Sequence, residues 1–271
     1  MIKEIPQMIR TFFGLKTNPF TKEIDSKNVF VSSAFKELSS RLDYMKKNRG
    51  LMLLTGEPGT GKTLAVRTFT EGLNNNLYFV IYVPLTTISQ IEFYRQFNLK
   101  LTGEALHRKV DLFNSIQRSV KDMVENQKKV PVIIIDEAHL LKIENFYELQ
   151  IILNFDMDST NPVIFIMVGQ PHLRDKIIQP VHSSLNQRFS LKYHLTPLDK
   201  DETREYIKHR LSICGSKKEL FSDSAVEAIF QNTGGIPRII DNLATKSLTL
   251  AAIQKKNTIT EEEIFAASKE L

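Results

Sequence analysis

Two short stretches carry residues whose types and spacing do chemistry. The first is Gly56-Glu57-Pro58-Gly59-Thr60-Gly61-Lys62-Thr63-Leu64, which fits the phosphate-loop spacing G-x-x-x-x-G-K-[ST]. Gly56, Gly59 and Gly61 let the backbone curl until successive N–H groups converge on one centre. The helix that follows adds its unpaired donors and the positive end of its dipole. Lys62 supplies a full charge for β- and γ-phosphates, and the Thr63 hydroxyl is a ligand for Mg2+. These residues predict a nucleoside triphosphate site. The second stretch is the acid pair Asp136-Glu137, which ends the apolar run Val132–Ile135. In a parallel sheet, the carboxyl ends of the strands line the ligand crevice. There Asp136 binds Mg2+, directly or through water, and Glu137 polarises a water for attack on the γ-phosphate.

Buried strands and amphipathic helices must position these groups. Leu51-Met52-Leu53-Leu54-Thr55 reads as the strand that runs into the phosphate loop, and Leu64-Ala65-Val66-Arg67 as the helix leaving it. Further strands are expected at 77–83, ended by Pro84, then at 131–137, 163–169 and 189–195. Amphipathic helical periodicity covers 35–45, Thr86 to Gln127 in two segments, and 146–153. Strands alternating with helices imply right-handed βαβ crossovers and a parallel sheet with helices on both faces. Past Thr196-Pro197-Leu198 the pattern is wholly helical. Capping boxes are read at Ser224–Glu227 and Thr260–Glu263, the second with Ile259 and Ile264 as a hydrophobic staple, and Pro237 starts a long helix. The expected domains are a lead-in at 1–30 packing on the nucleotide domain, an α/β nucleotide domain at 31–197 and a helical domain at 198–271.

Composition narrows the function classes. The 271 residues carry a formal net charge of +5, which admits nucleic acid as a partner. Cys214 is the single cysteine, so no internal disulfide forms and a reducing, cytoplasmic compartment is expected. Lys3, Glu4 and Pro6 are unlike a signal peptide, and no apolar run approaches the ~20 residues of a membrane span. Asp136-Glu137-Ala138-His139 also spells a helicase box. A helicase motor needs a second recombinase-like domain, however, and the roughly 130 residues after His139 are too few for one. His139 itself reads as a histidine opening a helix, because no Cys or second His stands at metal-ligand spacing.

The phosphate loop and Ile135-Asp136-Glu137, together with Gly169-Gln170-Pro171-His172-Leu173-Arg174, Leu185-Asn186-Gln187-Arg188-Phe189 and Gly234-Gly235-Ile236-Pro237-Arg238, resemble an AAA+ ATPase over nearly the whole chain. The lead-in Phe13-Gly14-Leu15 … Asn18-Pro19-Phe20 is similar, more narrowly, to the ExeA-type branch. That branch includes ATPase partners of DNA transposases, of the TnsC, TniB and MuB kind, and a secretion-assembly ATPase. The resemblance implies a P-loop AAA+ fold, with a five-stranded parallel sheet sandwiched by helices and a C-terminal helical lid. It also implies ATP with Mg2+, and residue roles. Gln170 stands at the sensor-1 position and Arg238 at the sensor-2 position, with Arg188 as an arginine finger inserted into a neighbouring subunit's site. Arg174 rivals either arginine. The second strand shows no obvious polar residue for the family's glutamate-switch position.

A finger acting in trans implies a ring or a helical filament. In such assemblies the region after the second strand faces the pore, where Arg95, Lys100, Arg108 and Lys109 could track duplex DNA phosphates without reading bases. The expected function is therefore ATP-dependent, sequence-tolerant assembly on target DNA and activation of a DDE-type transposase, with hydrolysis driving release. The alternatives are a secretion-assembly ATPase of the ExeA kind, whose members continue into a membrane span and a wall-binding domain, and a replication initiator or loader, which usually adds a winged-helix or helix-turn-helix domain.

Overall fold

Five apolar stretches become strands: the three inner ones are buried almost throughout, as central strands of a helix-covered parallel sheet must be, while the two edge strands alternate buried with exposed residues. The computed structural model describes residues 5–84, 87–216 and 218–269. The expectation that helix begins at Thr86 falls outside the described residues, as do Lys3 and Glu4. The strands are β1 Gly50–Gly56, β2 Tyr78–Val83, β3 Val130–Ile135, β4 Ile164–Gly169 and β5 Phe189–Leu195. They form one parallel sheet in the order β2-β3-β4-β1-β5. Contacts divide the chain into two compact units, one of Glu37–Pro58 with Lys62–Leu195, the other of Met1–Lys36 with Gly59–Gly61 and Thr196–Leu271.

In the first unit, register decides what gathers at the carboxyl edge of the sheet. Thr55 lies beside Gly169, and Ile135 beside Met167, so the loops leaving β1, β3 and β4 emerge at nearly one level. The core beneath them includes Leu53, Ile133, Ile135, Phe165 and Met167. Two helices, Gln90–Thr102 and Lys109–Glu125, connect β2 to β3. Ser89 and Glu92 form a capping box at the start of the first, and Gly103, at φ 78, ends it with a left-handed cap.

The second unit packs the helices Lys200–Ile213, Asp223–Thr233, Pro237–Ile253 and Glu261–Ser268 with the lead-in helix Ile5–Phe13. Here the structure differs from the sequence expectation. Ile9, Leu15 and Phe20 join the hydrophobic core formed by Leu198, Ile207, Leu211 and Phe221, the core of the helical unit. The cause is Arg210, whose side chain is almost wholly buried. Its Nε donates to Pro19 O and its Nη2 to Thr21 O, both at 2.7 Å, satisfying carbonyls that the irregular segment cannot pair with itself. Phe20 then meets Phe221 edge to face at 6.2 Å.

The Thr260–Glu263 capping box is present, with Ile259 and Ile264 both buried. The other expected box is not where it was read. Ser222, two residues before Ser224, accepts the Ala225 N–H at 3.1 Å, while the Glu227 carboxylate pairs with Lys200. The helix therefore starts at Asp223, two residues earlier than the Ser–Glu spacing suggested.

Gly235, at φ +73, lies so close to the loop at Leu198 that an added Cβ would fall 1.8 Å from the Leu198 carbonyl oxygen. That carbonyl belongs to backbone, which cannot step aside as a side-chain tip would. Gly235→Ala is therefore expected to lower stability by about 3 kcal/mol or more, measured by urea unfolding of the full chain.

Candidate active site

Lys62 and Thr63 open the helix Lys62–Glu71, directly after the turn that leaves β1. The Lys62 ammonium donates to Gly56 O at 2.8 Å and Glu57 O at 2.9 Å, so the lysine is folded over its own loop. The Thr63 hydroxyl donates to Asp136 Oδ2 at 2.8 Å, joining the loop after β1 to the end of β3 across the intervening β4. Asp136 is 5% exposed, and its Oδ1 accepts the Glu137 N–H at 2.8 Å. A hydroxyl beside a buried carboxylate is a hard-oxygen donor pair, the kind Mg2+ takes alongside phosphate oxygens. Thr63 and Asp136 therefore fit the ion, whose chemistry is to neutralise charge on the phosphates.

Tyr82 also reaches this carboxylate, a contact the sequence reading missed. Its hydroxyl donates to Asp136 Oδ2 at 3.0 Å. Burial first, and then the neighbouring Asp136 carboxylate, push the phenol's pKa up to about 12. The signal was present in the alternation of β2, where Ile81 and Val83 enter the core and Tyr82 faces away from it.

Glu137 takes a left-handed backbone, φ 49 and ψ 34, and its side chain is exposed. For a non-glycine residue this conformation costs about 1–2 kcal/mol. It turns the chain sharply off β3 into the 3-10 turn Ala138–Leu140. His139 is buried in that turn, where burial lowers its pKa against the opposing pull of Glu137. The Gln170 N–H donates to His139 Nδ1 at 3.4 Å, Lys176 Nζ donates to His139 O, and Glu137 Oε2 is 3.5 Å from Nδ1. Gly169 permits this approach, since an added Cβ would stand 3.2 Å from His139 N and 2.6 Å from Leu173 Cδ2. The tip of β4, carrying Gln170, is thus braced against the turn carrying Glu137.

The expected arginines occupy different places. Arg188 ends the helix Ser183–Arg188 and donates from Nη1 to Gln150 O at 3.0 Å. Phe189 pairs with Leu51 and Leu195 with Gly56, so Arg188 stands at the amino edge of the sheet. At ~3.3 Å per residue, that is about 17 Å along the strands from the phosphate loop, and the structure does not bring Arg188 into the site of its own chain. Arg174 is exposed, on the helix His172–Ile178 that follows β4. Arg238 lies in the helical unit together with Gly59 of the phosphate loop. Its N–H donates to Gly59 O at 3.3 Å, and a Cβ on Gly59 would meet Arg238 Cβ at 2.8 Å.

Of the basic residues, Arg95, Lys100, Arg108 and Lys109 are all exposed. Arg95 donates to His107 O at 3.3 Å, and Arg108 lies 3.9 Å from the Asp111 carboxylate. Lys109 is committed at 2.6 Å to Glu148, a buried carboxylate that also accepts the Tyr94 hydroxyl. Among the described residues, no helix is long and apolar enough to cross a membrane.

This geometry assigns separable effects. Lys62→Ala is expected to weaken triphosphate binding about tenfold or more, through loss of a charged donor. Thr63→Val, of similar volume, is expected to leave metal-free nucleotide affinity unchanged and to remove the gain that Mg2+ brings. Titration calorimetry with and without chelator distinguishes the two.

Residues 45–177 match a family described as AAA domain. General secretion pathway protein A of Aeromonas hydrophila is 27% identical over 276 residues, covering 97% of this chain and 48% of that protein, so the chain spans about half the length of this curated relative. Among solved structures, Cdc6p from Pyrobaculum aerophilum has a TM-score of 0.68 at 16% identity, covering 93% of this chain and 70% of that one. A Drosophila ORC structure bound to DNA has a TM-score of 0.65 at 17% identity, covering 97% and 65%. With the phosphate loop, the Thr63–Asp136 contact and the β2-β3-β4-β1-β5 order already in place, residues 45–177 resemble an AAA domain, and the chain has the AAA+ P-loop fold.

Proposed function

We propose that the chain binds ATP with Mg2+, hydrolyses it by a reaction completed between subunits, and uses the cycle to assemble on duplex DNA without reading its sequence. The observation that carries the reading is the hydrogen bond from Thr63 to Asp136, with Glu137 next in the chain and exposed toward solvent. These groups divide the work. Lys62 and the loop amides bind phosphate, Thr63 and Asp136 hold the metal side, Glu137 accepts a proton from the attacking water, and Gln170 orients that water. Arg238 takes the sensor-2 role.

The position of Arg188 supports completion in trans. A cation about 17 Å along the sheet from its own phosphate loop serves hydrolysis only by entering another subunit's site. Such an arginine is worth about 10³–10⁵ in rate in related phosphate chemistry. Arg188→Ala and Glu137→Gln are each expected to bind ATP and turn over poorly. Mixing the two variants is expected to restore turnover, because an intact Glu137 then meets an intact Arg188 across the interface. A mixture as inactive as its components counts against completion in trans, and full activity of Arg188→Ala moves the finger to Arg174.

Exposed Arg95, Lys100 and Arg108 supply charge for phosphate tracking, and a structural relative was solved bound to DNA. Retention on duplex DNA is expected to require ATP, to fall steeply with added salt and to be insensitive to sequence, as a gel-shift titration reads. Equal retention with and without ATP removes the DNA part of the proposal. The finer step, recruitment of a DDE-type transposase by a ring or filament in the cytoplasm, is supported by the ExeA-branch lead-in alone. The second reading is a secretion-assembly ATPase, favoured by the likeness to general secretion pathway protein A across 97% of this chain.

A further inference from the structure

Tyr82 lies on β2, the edge strand of the sheet, opposite Ile134 of β3 and two positions short of the residue facing Asp136. Its side chain is not a core element, as the residue is 40% exposed. What distinguishes it is the oxygen it contacts. Asp136 Oδ2 already accepts the Thr63 hydroxyl at 2.8 Å, and Tyr82 adds a second donor at 3.0 Å. Oδ1 accepts the Glu137 N–H at 2.8 Å. An ionised carboxylate offers about four lone-pair positions, so these three donors leave about one, on Oδ1.

We infer that Tyr82 sets the metal preference of the nucleotide site, by limiting Asp136 to a single remaining acceptor position. The inference rests on Thr63 and Asp136 forming the metal side of that site. One open position receives a hydrogen from a metal-bound water. It does not suffice for the carboxylate to chelate an ion through both oxygens, because Oδ2 already accepts two protein donors. Mg2+ dehydrates reluctantly, keeps several of its waters and accepts such an indirect partner. Ca2+ takes six to eight oxygens and uses carboxylates directly, often through both oxygens. Tyr82 therefore favours the ion that stays hydrated and disfavours the one that would claim Asp136 itself. Thr63 cannot make this selection alone, since its donated bond uses only one lone pair of Oδ2.

Tyr82→Phe removes the hydroxyl and keeps the ring, so the comparison is isosteric. The measurement is the dissociation constant of a fluorescent, non-hydrolysable ATP analogue for the full chain, in chelator, in Mg2+ and in Ca2+, for the wild type, Tyr82→Phe and Lys62→Ala. The wild type is expected to prefer Mg2+. Tyr82→Phe is expected to lower the Mg2+-to-Ca2+ affinity ratio by about tenfold, the worth of one hydrogen bond to a charged group, mainly through tighter binding with Ca2+. Affinity in chelator should stay the same. An unchanged ratio overturns the inference and leaves the nucleotide site standing, as does equal weakening with both metals, which would mark Tyr82 as a packing residue. A wild type whose nucleotide affinity neither metal raises nor Lys62→Ala lowers would overturn the inference and the site together.

Discussion

The Asp136 carboxylate is the constraint on which the site depends. It is buried, and burial of a charge is tolerated only where donors replace its lost water. Three donors from three places in the chain do so: Thr63 after β1, Tyr82 in β2 and the Glu137 amide at the end of β3. The carboxylate thus ties an edge strand and two inner strands together at the sheet's carboxyl edge. Parallel pairing makes this possible, because it brings the loops after β1, β3 and β4 to the same side.

The turn after β3 also explains why Gly169 and His139 occur where they do. A left-handed residue is held only where its surroundings over-determine it. Here they comprise the buried His139 ring, the Lys176 contact to its carbonyl, and the tip of β4 approaching closely enough to exclude a Cβ at position 169. His139, in the 3-10 helix that opens after Glu137, stands between the Glu137 carboxylate and the Gln170 amide.

How much was legible in the chain depended on the kind of signal. The strands and the phosphate loop were readable because continuous apolar runs and a fixed glycine–lysine spacing are local properties. Tyr82 was not, because its role arises from a neighbouring strand and from a carboxylate 54 residues away. The lead-in packs into the helical core through Ile9, Leu15 and Phe20. Its partner could not be read, since Arg210, which holds Pro19 and Thr21, is an arginine in an amphipathic helix with nothing local to mark it as buried. Ser222 and Ser224 show the limit at finer scale. Both are hydroxyls at plausible spacing, and only the path of the backbone decides which of them caps the helix.

The helical unit is assembled from both ends of the sequence, with Pro19 and its Arg210 partner 191 residues apart. A ribosome delivers Ile9, Leu15 and Phe20 long before the helices that will cover them. Throughout synthesis of the intervening sheet these apolar side chains have no native shelter, and early encounters with chaperones should concentrate on them.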